Sequence, residues 1–355
     1  MNDERPQILI LTRDDWANTG WRFCRSLQAA GYRAAIFKGR VHPHGYPEQA
    51  PLYQGKGTRA TNLKALADAA EALHFTASTY VDTGTRLKGR RIVVQHGGSA
   101  YRNNPARHNT FWNPIAAATV LHMPDLCGLG AKGEVYVSFP VDVDALAFDP
   151  RPRMPGTILV GHWPSNPESK GTDAICRVID RLSSESPAFA RRVRYIGARP
   201  RPAGDGPADD LIAPGRKRLC DAPRLTWAAH LERVRSCDVY IEALCPTLDG
   251  RQYGTWGNAA HEAAALGKVV VTHGYGLEMY RREYGWCGLW TADTEAALAT
   301  RLIEAADLSE ADLANAKAAT RDWVTTRHSF VATGRRLRDK VYGPLGLWPA
   351  EERVP

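Results

Sequence analysis

The sequence predicts an α/β protein of two doubly wound domains with a ligand cleft between them. The first observation is an alternation of short β-rich apolar runs with helical segments, which is typical of parallel sheets. The second is a proline-rich segment at residues 149–155, after which the same alternation begins again. The third is the length of 355 residues, which is enough for two separate hydrophobic cores.

The first half of the chain, residues 1–148, predicts the N-terminal domain. Short apolar runs predict strands, and apolar residues at helical spacing predict helices. The predicted order is a strand at 7–12, a helix at 21–30, a strand at 34–39, a helix at 63–73, and strands at 91–98 and 134–142. Ligands bind beyond the carboxyl ends of parallel strands, so polar residues that follow these strands are candidates for binding.

The second half repeats the pattern from residue 149 onward. The stretch at 199–216 is rich in proline and glycine and predicts a loop. The predicted order is a strand at 157–162, a helix at 172–182, a strand at 192–198, a short helix at 231–235, a strand at 238–244, a helix at 258–266, a strand at 268–274, and helices at 308–326 and 329–342.

Composition limits the class of protein. The net charge of +8 favours an anionic partner such as a nucleotide, a nucleic acid or an anionic membrane, although genomic base composition also produces arginine-rich chains. The seven cysteines are odd in number and form no Cys-x-x-Cys pair, so neither a disulfide framework nor a zinc site is expected. No run of eighteen apolar residues predicts a transmembrane helix, and the N-terminus is too polar for a signal peptide. We therefore expect a cytoplasmic protein.

A glycine-rich loop that opens directly into a helix spans residues 254–266. Its backbone N–H groups, aided by the helix dipole, suit a phosphate, so Thr255, Gly257 and Asn258 are candidate binding positions. Glu262 lies about one turn into the helix, where its carboxylate could accept hydrogen bonds from a ribose. A purely structural role, with Glu262 as a favourable acid near the start of the helix, fits the same residues.

A second candidate segment follows the strand at 157–162. Gly161 and His162 end that strand, and Lys170 precedes the next helix. Lys170 is placed to offset the charge of a diphosphate, and His162 could donate a hydrogen bond to it. The alternative is a solvated lysine beside a helix that Thr172 caps.

The N-terminal domain offers two loops of the same kind. His96 and Gly97 lie at the carboxyl end of the strand at 91–98, with Arg102 beyond, and the histidine could bind a donor hydroxyl or position an acceptor. Asp14, Asp15 and Asn18 follow the first strand and are candidate contacts for sugar hydroxyls. A loop histidine is more often structural, and acids beside a helix are more often helix-flanking residues.

In order along the chain, these segments resemble the retaining glycosyltransferases of the GT-B fold, of the glycogen-synthase, family-4-like type. Residues 137–150 resemble the inter-domain segment of that family, and 161–171 resemble its donor-phosphate motif. Residues 230–246 resemble the helix and strand that lead into its donor loop, and 254–271 resemble its glutamate–seven residues–glutamate segment. The N-terminal half matches by layout more than by residues.

The resemblance implies two Rossmann-like domains and transfer from an NDP-sugar, typically UDP-linked, with retention at the anomeric carbon. It implies Lys170 on the diphosphate, Glu262 on the ribose, amides near Gly257 and Asn258 on phosphate, and His96 near the transferred sugar. It implies neither a metal nor another cofactor. The segment at 325–355 would pack back on the acceptor-side domain, which leaves 149–324 as the nucleotide-sugar domain.

Two positions depart from the family pattern. Gly254 stands where the first family glutamate normally touches the sugar, and Asp249 or Gln252 is the candidate replacement. His162 stands where the phosphate motif has arginine. Either change fits a divergent donor, or a protein that binds a nucleotide sugar or nucleic acid without catalysis.

The sequence leaves the acceptor open. Clusters of basic residues allow a DNA acceptor, as in phage-type enzymes that glycosylate hydroxymethyl pyrimidines in the host cytoplasm. A glycan or a lipid-linked sugar is the other class of acceptor. A GT-B-fold epimerase, which needs no acceptor, is a further alternative. The oligomeric state is not indicated.

Overall fold

The computed structural model describes residues 5–42, 44–46, 50–53, 63–199, 225–244, 247–248, 251–252, 254 and 256–349, with 247–248 and 251–252 described for the backbone alone. The chain divides into two compact units. Unit 1 contains Met1–Asp142 and Thr326–Pro355, and unit 2 contains Val143–Thr325. Each unit is built on its own parallel sheet.

The sheet of unit 1 has the strand order β2-β1-β3-β4-β5-β6, and all of its described pairs are parallel. Register is set on both sides of β1, where Ile8 lies opposite Ala34 on one neighbour and Ala72 on the other. The strands are β1 (Ile8–Thr12), β2 (Ala34–Lys38), β3 (Ala72–Phe75), β4 (Arg91–His96), β5 (Ala118–Leu121) and β6 (Glu134–Tyr136).

Both faces of this sheet are covered. Ile8 and Ile10 of β1 pack into a cluster with Phe23, whereas Leu9 and Leu11 point to a second cluster on the opposite face. The period of two along the strand therefore separates two cores. The helices of this part are α1 (Thr19–Ala29), α2 (Leu63–Ala69), α3 (Gly98–Asn103) and α4 (Pro105–Trp112), with single 3-10 turns at Trp16–Asn18 and Pro124–Leu126.

The sheet of unit 2 has the strand order β13-β12-β9-β7-β8 and is also parallel. A short antiparallel pair, β10 with β11, stands apart from it. The strands are β7 (Ile158–Gly161), β8 (Val193–Tyr195), β9 (Val239–Ile241), β10 (Thr247–Leu248), β11 (Arg251–Gln252), β12 (Val269–Thr272) and β13 (Trp290–Thr291).

Helices surround the second sheet, and the last helix returns to unit 1. They are α5 (Pro167–Lys170), α6 (Thr172–Glu185), α7 (Pro187–Arg192), α8 (Trp227–Arg235), α9 (Asn258–Ala265), α10 (Leu277–Tyr284), α11 (Glu295–Asp307), α12 (Glu310–His328) and α13 (Phe330–Leu337). Gly334 of α13 lies so close to α1 that a Cβ there would stand 2.1 Å from the Ser26 carbonyl oxygen. Among the described residues, no helix is long and apolar enough to cross a membrane.

A buried ion pair positions β9, the central strand of unit 2. Asp238, just before β9, accepts hydrogen bonds from the Arg153 and Leu159 amides at 3.0 Å, and its Oδ1 lies 2.7 Å from Lys317 Nζ on α12. Both charged side chains are fully buried. Such a pair is stabilised by its mutual attraction and its extra hydrogen bonds, and it becomes strongly unfavourable if either partner is removed.

The predicted α/β class with two doubly wound sheets is confirmed, but two predicted elements were wrong and one strand was missed. The helix predicted at 63–73 ends at Ala69, and Ala72–Phe75 forms β3. Alanine and leucine favour a helix locally, whereas burial between β1 and β4 decides for a strand. The strand predicted at 134–142 is a continuous strand only over β6, with an isolated bridge from Val141 to Ser329, and β5, four residues long, was not predicted.

Candidate functional site

The carboxyl ends of β7, β9 and β12 lie at one edge of the unit 2 sheet, because these strands are parallel and adjacent. His162 follows β7, Glu242 follows β9, and Thr272 ends β12. Ligands of doubly wound sheets bind at this edge. We call this group of residues, with Lys170 and Gly257, the unit 2 edge.

Lys170 and Glu242 form an ion pair at the unit 2 edge through Lys170 Nζ and Glu242 Oε1. The Gly257 amide donates to the same carboxylate oxygen at 3.4 Å, and Thr272 Oγ1 donates to Oε2 at 3.0 Å. The Glu242 side chain is only 2% exposed and that of Lys170 17%. One carboxylate therefore joins the end of α5, the start of α9 and the end of β12.

The charge state of Glu242 follows from two opposing effects. Burial raises its pKa, but the ammonium of Lys170, the nearby His273 and the hydrogen bonds from Lys170 and Thr272 outweigh burial. The pKa of Glu242 therefore lies below its ordinary value, and the carboxylate is ionised at neutral pH. The ion pair leaves the unit 2 edge locally balanced in charge, with the N-terminus of α9 adding positive potential.

Local sequence explains why Lys170 reaches Glu242. Asn166 caps α5 by accepting from the Ser169 amide at 3.2 Å, and α5 ends at Lys170. Gly171 follows with φ +70°, and a Cβ at this position would stand 2.1 Å from the Leu244 carbonyl oxygen. Only glycine allows so close an approach, which brings the Lys170 carbonyl within 3.0 Å of the Leu244 amide beyond β9.

The helix that the glycine loop opens into is α9, with Gly257 as its N-cap and Asn258 as its first residue. Glu262 is 3% exposed, and its Oε1 accepts a hydrogen bond from Trp227 Nε1 of α8 at 2.8 Å. The indole thus orients the carboxylate in the second turn of α9. The predicted contacts of Gly257 and Asn258 with phosphate and of Glu262 with ribose stay predictions.

His162 has a different role from the one its position in the sequence suggested. Its Nδ1 lies 2.8 Å from the Ile241 carbonyl oxygen, and its Nε2 lies 2.9 Å from Thr172 Oγ1. Burial lowers the pKa of His162 to about 4, so the ring is neutral, with Nδ1–H donating and Nε2 accepting. Both ring nitrogens are therefore occupied within unit 2, and neither is left to donate to a diphosphate.

Gly161 is likewise explained by packing. A Cβ at Gly161 would stand 2.4 Å from the ring of Trp163, which is buried beside Tyr240 at a centroid distance of 6.5 Å. The glycine makes room for an indole of unit 2.

Three other predicted positions lie outside what the structure describes: Thr255, Asp249 and the side chain of Gln252.

The corresponding edge of unit 1 follows β1, β3 and β4, which are adjacent strands. Two loops there hold every non-glycine residue with positive φ in the described parts of the chain, and those residues are Asp15, Ala17, Asn18, Ala77 and Ser78. Such conformations cost on the order of 1–3 kcal/mol each and cluster at functional sites. We call this region, residues 13–20, 76–78 and 96–97, the unit 1 edge.

Asp15 acts as a remote cap for α1. Its carboxylate accepts hydrogen bonds from the amides of Gly20 at 2.5 Å and Trp21 at 3.1 Å, and the residue is 1% exposed. Burial raises the pKa of Asp15 to about 6, although these hydrogen bonds oppose the rise. Asp14 pairs with Arg40. Both oxygens of Asp15 are engaged by the backbone, so a contact with sugar hydroxyls does not follow from its geometry.

Three buried polar atoms of the unit 1 edge have no hydrogen-bond partner among the described residues. They are Asn18 Oδ1, Thr76 Oγ1 and His96 Nε2; Asn18 and Thr76 follow β1 and β3, and His96 is the last residue of β4. Buried polar groups are nearly always paired, so each such group calls for an explanation. The two loops lie close together, because a Cβ added at Gly20 would stand 3.4 Å from Thr76 Cγ2.

His96 is held in place through its other ring nitrogen and by ring stacking. Its Nδ1 lies 2.9 Å from Ser78 Oγ, and its ring stacks on Tyr101 at a centroid distance of 4.0 Å. Burial, with a smaller effect of the neighbouring His108, lowers the pKa of His96 to about 3. The imidazole is therefore neutral at physiological pH.

Gly97 and Arg102 are engaged within unit 1. A Cβ at Gly97 would stand 2.3 Å from the ring of His122, so this glycine admits a histidine whose pKa burial lowers to about 3. Arg102 forms an ion pair with Asp125, and both side chains are largely buried. The predicted contact of Arg102 with an acceptor remains a prediction.

An exposed indole at the unit 1 edge was not among the sequence candidates. Trp16 is 58% exposed although it directly follows the turn after β1. Its ring centroid lies 5.0 Å from that of His42 and 6.2 Å from that of His44. The Ala17 amide donates to His42 Nε2 at 3.1 Å, which ties this turn to the segment after β2.

Sequence reasoning also missed Glu242. The sequence signal for Glu242 is an acidic residue at the carboxyl end of an otherwise apolar strand. The signal for Trp16 is a bulky aromatic residue in a polar loop.

As for metals, the described residues hold no group of three or more histidine, cysteine or acidic side chains that could bind one.

Solved structures share this architecture. The Anabaena protein HepE in complex with UDP and glucose is 13% identical, with 95% of this chain and 99% of that chain covered and a TM-score of 0.56. A sucrose-phosphate synthase from Thermosynechococcus elongatus is 12% identical, with 96% and 99% covered and a TM-score of 0.55. A trehalose-6-phosphate synthase is 12% identical, with 98% and 99% covered and a TM-score of 0.56.

These likenesses show the fold, which is the GT-B arrangement of two Rossmann-like domains. No protein-family model matches the sequence, and no curated protein matches it. The fold therefore rests on the course of the backbone rather than on shared residues.

Proposed function

We propose that this protein is a glycosyltransferase that moves a sugar from a nucleoside diphosphate sugar, with UDP as the nucleotide, to an acceptor. The observation that carries the proposal is Lys170 beside the N-terminus of α9, at the edge of the unit 2 sheet where doubly wound folds bind ligands. Supporting it, a protein of the same fold has been solved with UDP and glucose, and again with UDP-glucose.

The proposed chemistry of the unit 2 edge is stabilisation of the leaving diphosphate. When the bond between the anomeric carbon and the phosphate oxygen breaks, negative charge collects on the diphosphate, and fixed positive groups near it lower the barrier. Lys170 supplies an ammonium, and the start of α9 supplies backbone N–H groups and the positive end of the helix dipole. We propose that these groups carry the charge without a metal ion or another cofactor.

Glu242 already accepts hydrogen bonds from Lys170 and the Gly257 amide, the two groups that the proposal assigns to phosphate. A diphosphate offers acceptor oxygens of the same kind and, as a whole group, carries more negative charge than one carboxylate. Donor binding would therefore redistribute these two donors between Glu242 and the diphosphate.

Retention of anomeric configuration is the finer part of the proposal. It is supported by the resemblance of residues 161–171 and 254–271 to the donor motifs of retaining enzymes. Proton NMR of the first-formed product distinguishes the two stereochemical courses, because the anomeric coupling constant differs between them. A product with inverted configuration would refute retention while leaving the transfer itself established.

The acceptor is proposed to be a glycan or a sugar-bearing lipid. A hydroxymethyl pyrimidine in DNA, in a cytoplasmic setting, stays the alternative prediction. Arg102, which lies beyond His96 and Gly97 on the acceptor side, is paired with Asp125 in this structure. Incubating the enzyme and labelled donors with a DNA that contains hydroxymethyl pyrimidines tests the alternative, and label entering the DNA would establish it.

The decisive experiment is a panel of NDP-sugars incubated with the purified full-length chain. We expect transfer to a saccharide acceptor, or slow hydrolysis, with at least one UDP-sugar, together with binding of UDP. A folded chain that binds UDP but never turns over any donor would instead be a catalytically inactive binding module. A chain that binds no nucleotide at all would refute the proposal.

A further inference from the structure

We propose that Glu242 is a specificity-determining residue of the unit 2 edge, whose negative charge favours the intact nucleotide sugar over the nucleoside diphosphate that remains after transfer. The inference rests on the proposed function, because it compares the donor with a product of that reaction. It is carried by the position of a buried carboxylate beside Lys170 and the Gly257 amide, the two groups proposed to hold phosphate.

The donor and this product differ in charge. Transfer breaks the bond between the anomeric carbon and the terminal phosphate oxygen, and the oxygen keeps the electron pair while the acceptor hydroxyl gives up its proton to solvent. The phosphate set free loses its last proton near about pH 6. Above that pH, UDP therefore carries one negative charge more than a UDP-sugar, and a nearby fixed charge acts more strongly on UDP.

Glu242 lies close to any anion that these two groups hold. Lys170 Nζ and the Gly257 amide both donate to Glu242 Oε1. Two hydrogen bonds end to end span about 6 Å. A phosphate oxygen bound by either donor therefore lies within about 6 Å of this carboxylate oxygen. In a partly buried site, where salt and water screen charges less, two negative charges at this distance repel each other appreciably.

The carboxylate is fixed in this position. Thr272 Oγ1 donates to Glu242 Oε2 at 3.0 Å, and the Glu242 side chain is only 2% exposed. A Cβ added at Gly257 would stand 3.0 Å from Glu242 Oε1, so the glycine allows α9 to begin close to the carboxylate. Because the side chain is buried and held at its second oxygen, we expect its charge to stay at the unit 2 edge when a ligand binds there.

The ion pair is balanced before a ligand binds. Burial raises the pKa of Glu242, but Lys170 and His273 outweigh burial and hold that pKa below its ordinary value, so the carboxylate offsets the Lys170 ammonium. Burial lowers the pKa of His162 to about 4, so its ring adds no charge at neutral pH. The extra charge of UDP therefore meets a balanced pair and gains mainly from the N-terminus of α9. Without the carboxylate, it would meet an ammonium that Glu242 no longer offsets.

A carboxylate is an unexpected choice if its only task is to position Lys170. A neutral amide oxygen accepts the same hydrogen bonds from an ammonium and a backbone N–H without repelling phosphate. The negative charge lowers the affinity for every anion, and it does so in proportion to the charge of the ligand. Such a penalty selects between a donor and a more highly charged product, because it weakens product inhibition more than donor binding.

Isothermal titration calorimetry on the full-length chain tests the inference with two probes, at low ionic strength and at a pH where UDP is fully ionised. The probes are UDP and its methyl ester at the terminal phosphate, which keeps the diphosphate but lacks both the extra charge and the sugar. We expect the wild type to bind UDP at most about fivefold more tightly than the ester, which is the preference that a helix N-terminus supplies. Glu242→Gln should bind UDP about tenfold and the ester about fivefold more tightly than the wild type does, because each ligand charge then contributes about twofold.

Two further variants separate charge from shape. Glu242→Asp keeps the negative charge and should keep the wild-type ratio of the two affinities. Glu304→Gln is the matched control, because it removes an exposed carboxylate of unit 2 that pairs with Arg301, and it should leave both affinities unchanged. In steady-state assays of Glu242→Gln, the inhibition constant of UDP should fall about twofold relative to the KM of the donor.

Three results for the Glu242 variants would overturn the inference and leave the proposed function in place: equal gains for UDP and the ester in Glu242→Gln, weaker binding of UDP in that variant, or a Glu242→Asp variant that behaves like Glu242→Gln. If thermal melting shows that the variants do not fold, the wild type still decides, because a preference for UDP over the ester of more than about fivefold would overturn the inference. A wild-type chain that binds neither ligand would refute the proposed function together with the inference.

Discussion

The two sheet edges of this protein share a topology and differ in their chemistry. At the unit 2 edge, Lys170 and Glu242 are charged and paired, and the carboxylate also accepts from the Gly257 amide and Thr272. At the unit 1 edge, His96 is neutral, and Asn18 and Thr76 keep buried atoms without partners in the described chain. The comparison teaches that a few side chains give the same α/β plan a charged, paired edge in one unit and an edge with buried, unsatisfied polar atoms in the other.

The buried polar groups of the two edges also affect the stability of the folded protein differently. A buried ion pair is stable as it stands, and removing one partner costs about 3–5 kcal/mol because a charge is left uncompensated. A buried polar atom without a partner costs about 1–3 kcal/mol in the folded protein, and a ligand that supplies the partner recovers that energy on binding. The unit 2 edge is thus stabilised by contacts that are already made, whereas the unit 1 edge retains polar atoms that the described chain does not satisfy.

The largest expected effect is at the unit 2 edge. Lys170→Met removes the ammonium proposed to stabilise the leaving diphosphate, and we expect turnover to fall by about 10²–10³-fold, as for loss of one fixed transition-state donor. It also leaves Glu242 buried and unpaired, so thermal unfolding must be measured alongside activity. The double variant Lys170→Met with Glu242→Gln should recover stability without recovering turnover.

The control for this variant is Lys64→Met, which removes an exposed lysine paired with Asp68 in unit 1. It should leave both turnover and UDP affinity unchanged. Full activity in Lys170→Met would break the comparison, because the unit 2 edge would then have no role in the charge chemistry.

The next effect concerns Asp15 at the unit 1 edge. Because its pKa is raised from 3.8 to about 6, its contribution to stability is complete below pH 3.8 and is lost as the pH rises through about 6. The shift corresponds to about 3 kcal/mol in the free energy of unfolding. Asp15→Asn should remove this part of the pH dependence between about pH 4 and 6, as measured by urea unfolding.

Asp14→Asn is the matched control, because Asp14 is the neighbouring carboxylate and pairs with Arg40 at the surface. In Asp14→Asn, the free energy of unfolding should depend on pH between about pH 4 and 6 as it does in the wild type. If the pH dependence of the free energy of unfolding is unchanged in Asp15→Asn, the Asp15 carboxylate of the wild type is not desolvated as the structure indicates. The unit 1 edge would then differ less from the unit 2 edge.

A smaller effect is expected for Glu242→Gln. The amide preserves the shape of the side chain and an oxygen for Lys170 and Gly257, but it removes the negative charge that competes with a diphosphate. We expect UDP to bind about tenfold more tightly, or by about 1.4 kcal/mol, with uridine unaffected. Isothermal titration calorimetry measures both, and weaker UDP binding would show that Glu242 serves to position Lys170 instead.

The smallest effect is expected for Ala17→Gly. Glycine adopts positive φ without the steric penalty of alanine, but it also increases the entropy of the unfolded chain, so stability should rise by no more than about 1 kcal/mol. Gly→Ala at Gly171, which has φ +70° and no room for a Cβ, should instead destabilise unit 2. Thermal melting temperatures of the two variants test this: we expect little change or a small rise for Ala17→Gly and a fall for Gly171→Ala.

Several parts of the site were predictable because their causes are local. Lys170 was identified from a lysine placed between a strand and a helix, and the structure places it at the carboxyl edge of the sheet. Glu262 was identified from its distance along a helix, and it lies in α9 as expected. His162 was predicted as a diphosphate contact from position alone, and only the distances to Ile241 and Thr172 showed that its ring is already occupied.

The sequence by itself determined the α/β class and the placement of polar residues after strands, because periods of two and of about 3.6 residues are properties of short segments. Tertiary structure alone decided that residues 72–75 form a strand, that Glu242 meets Lys170 across 72 positions of the chain, and that Trp16 stays exposed on a base of His42. Such outcomes depend on burial and pairing between distant segments, which no local pattern encodes.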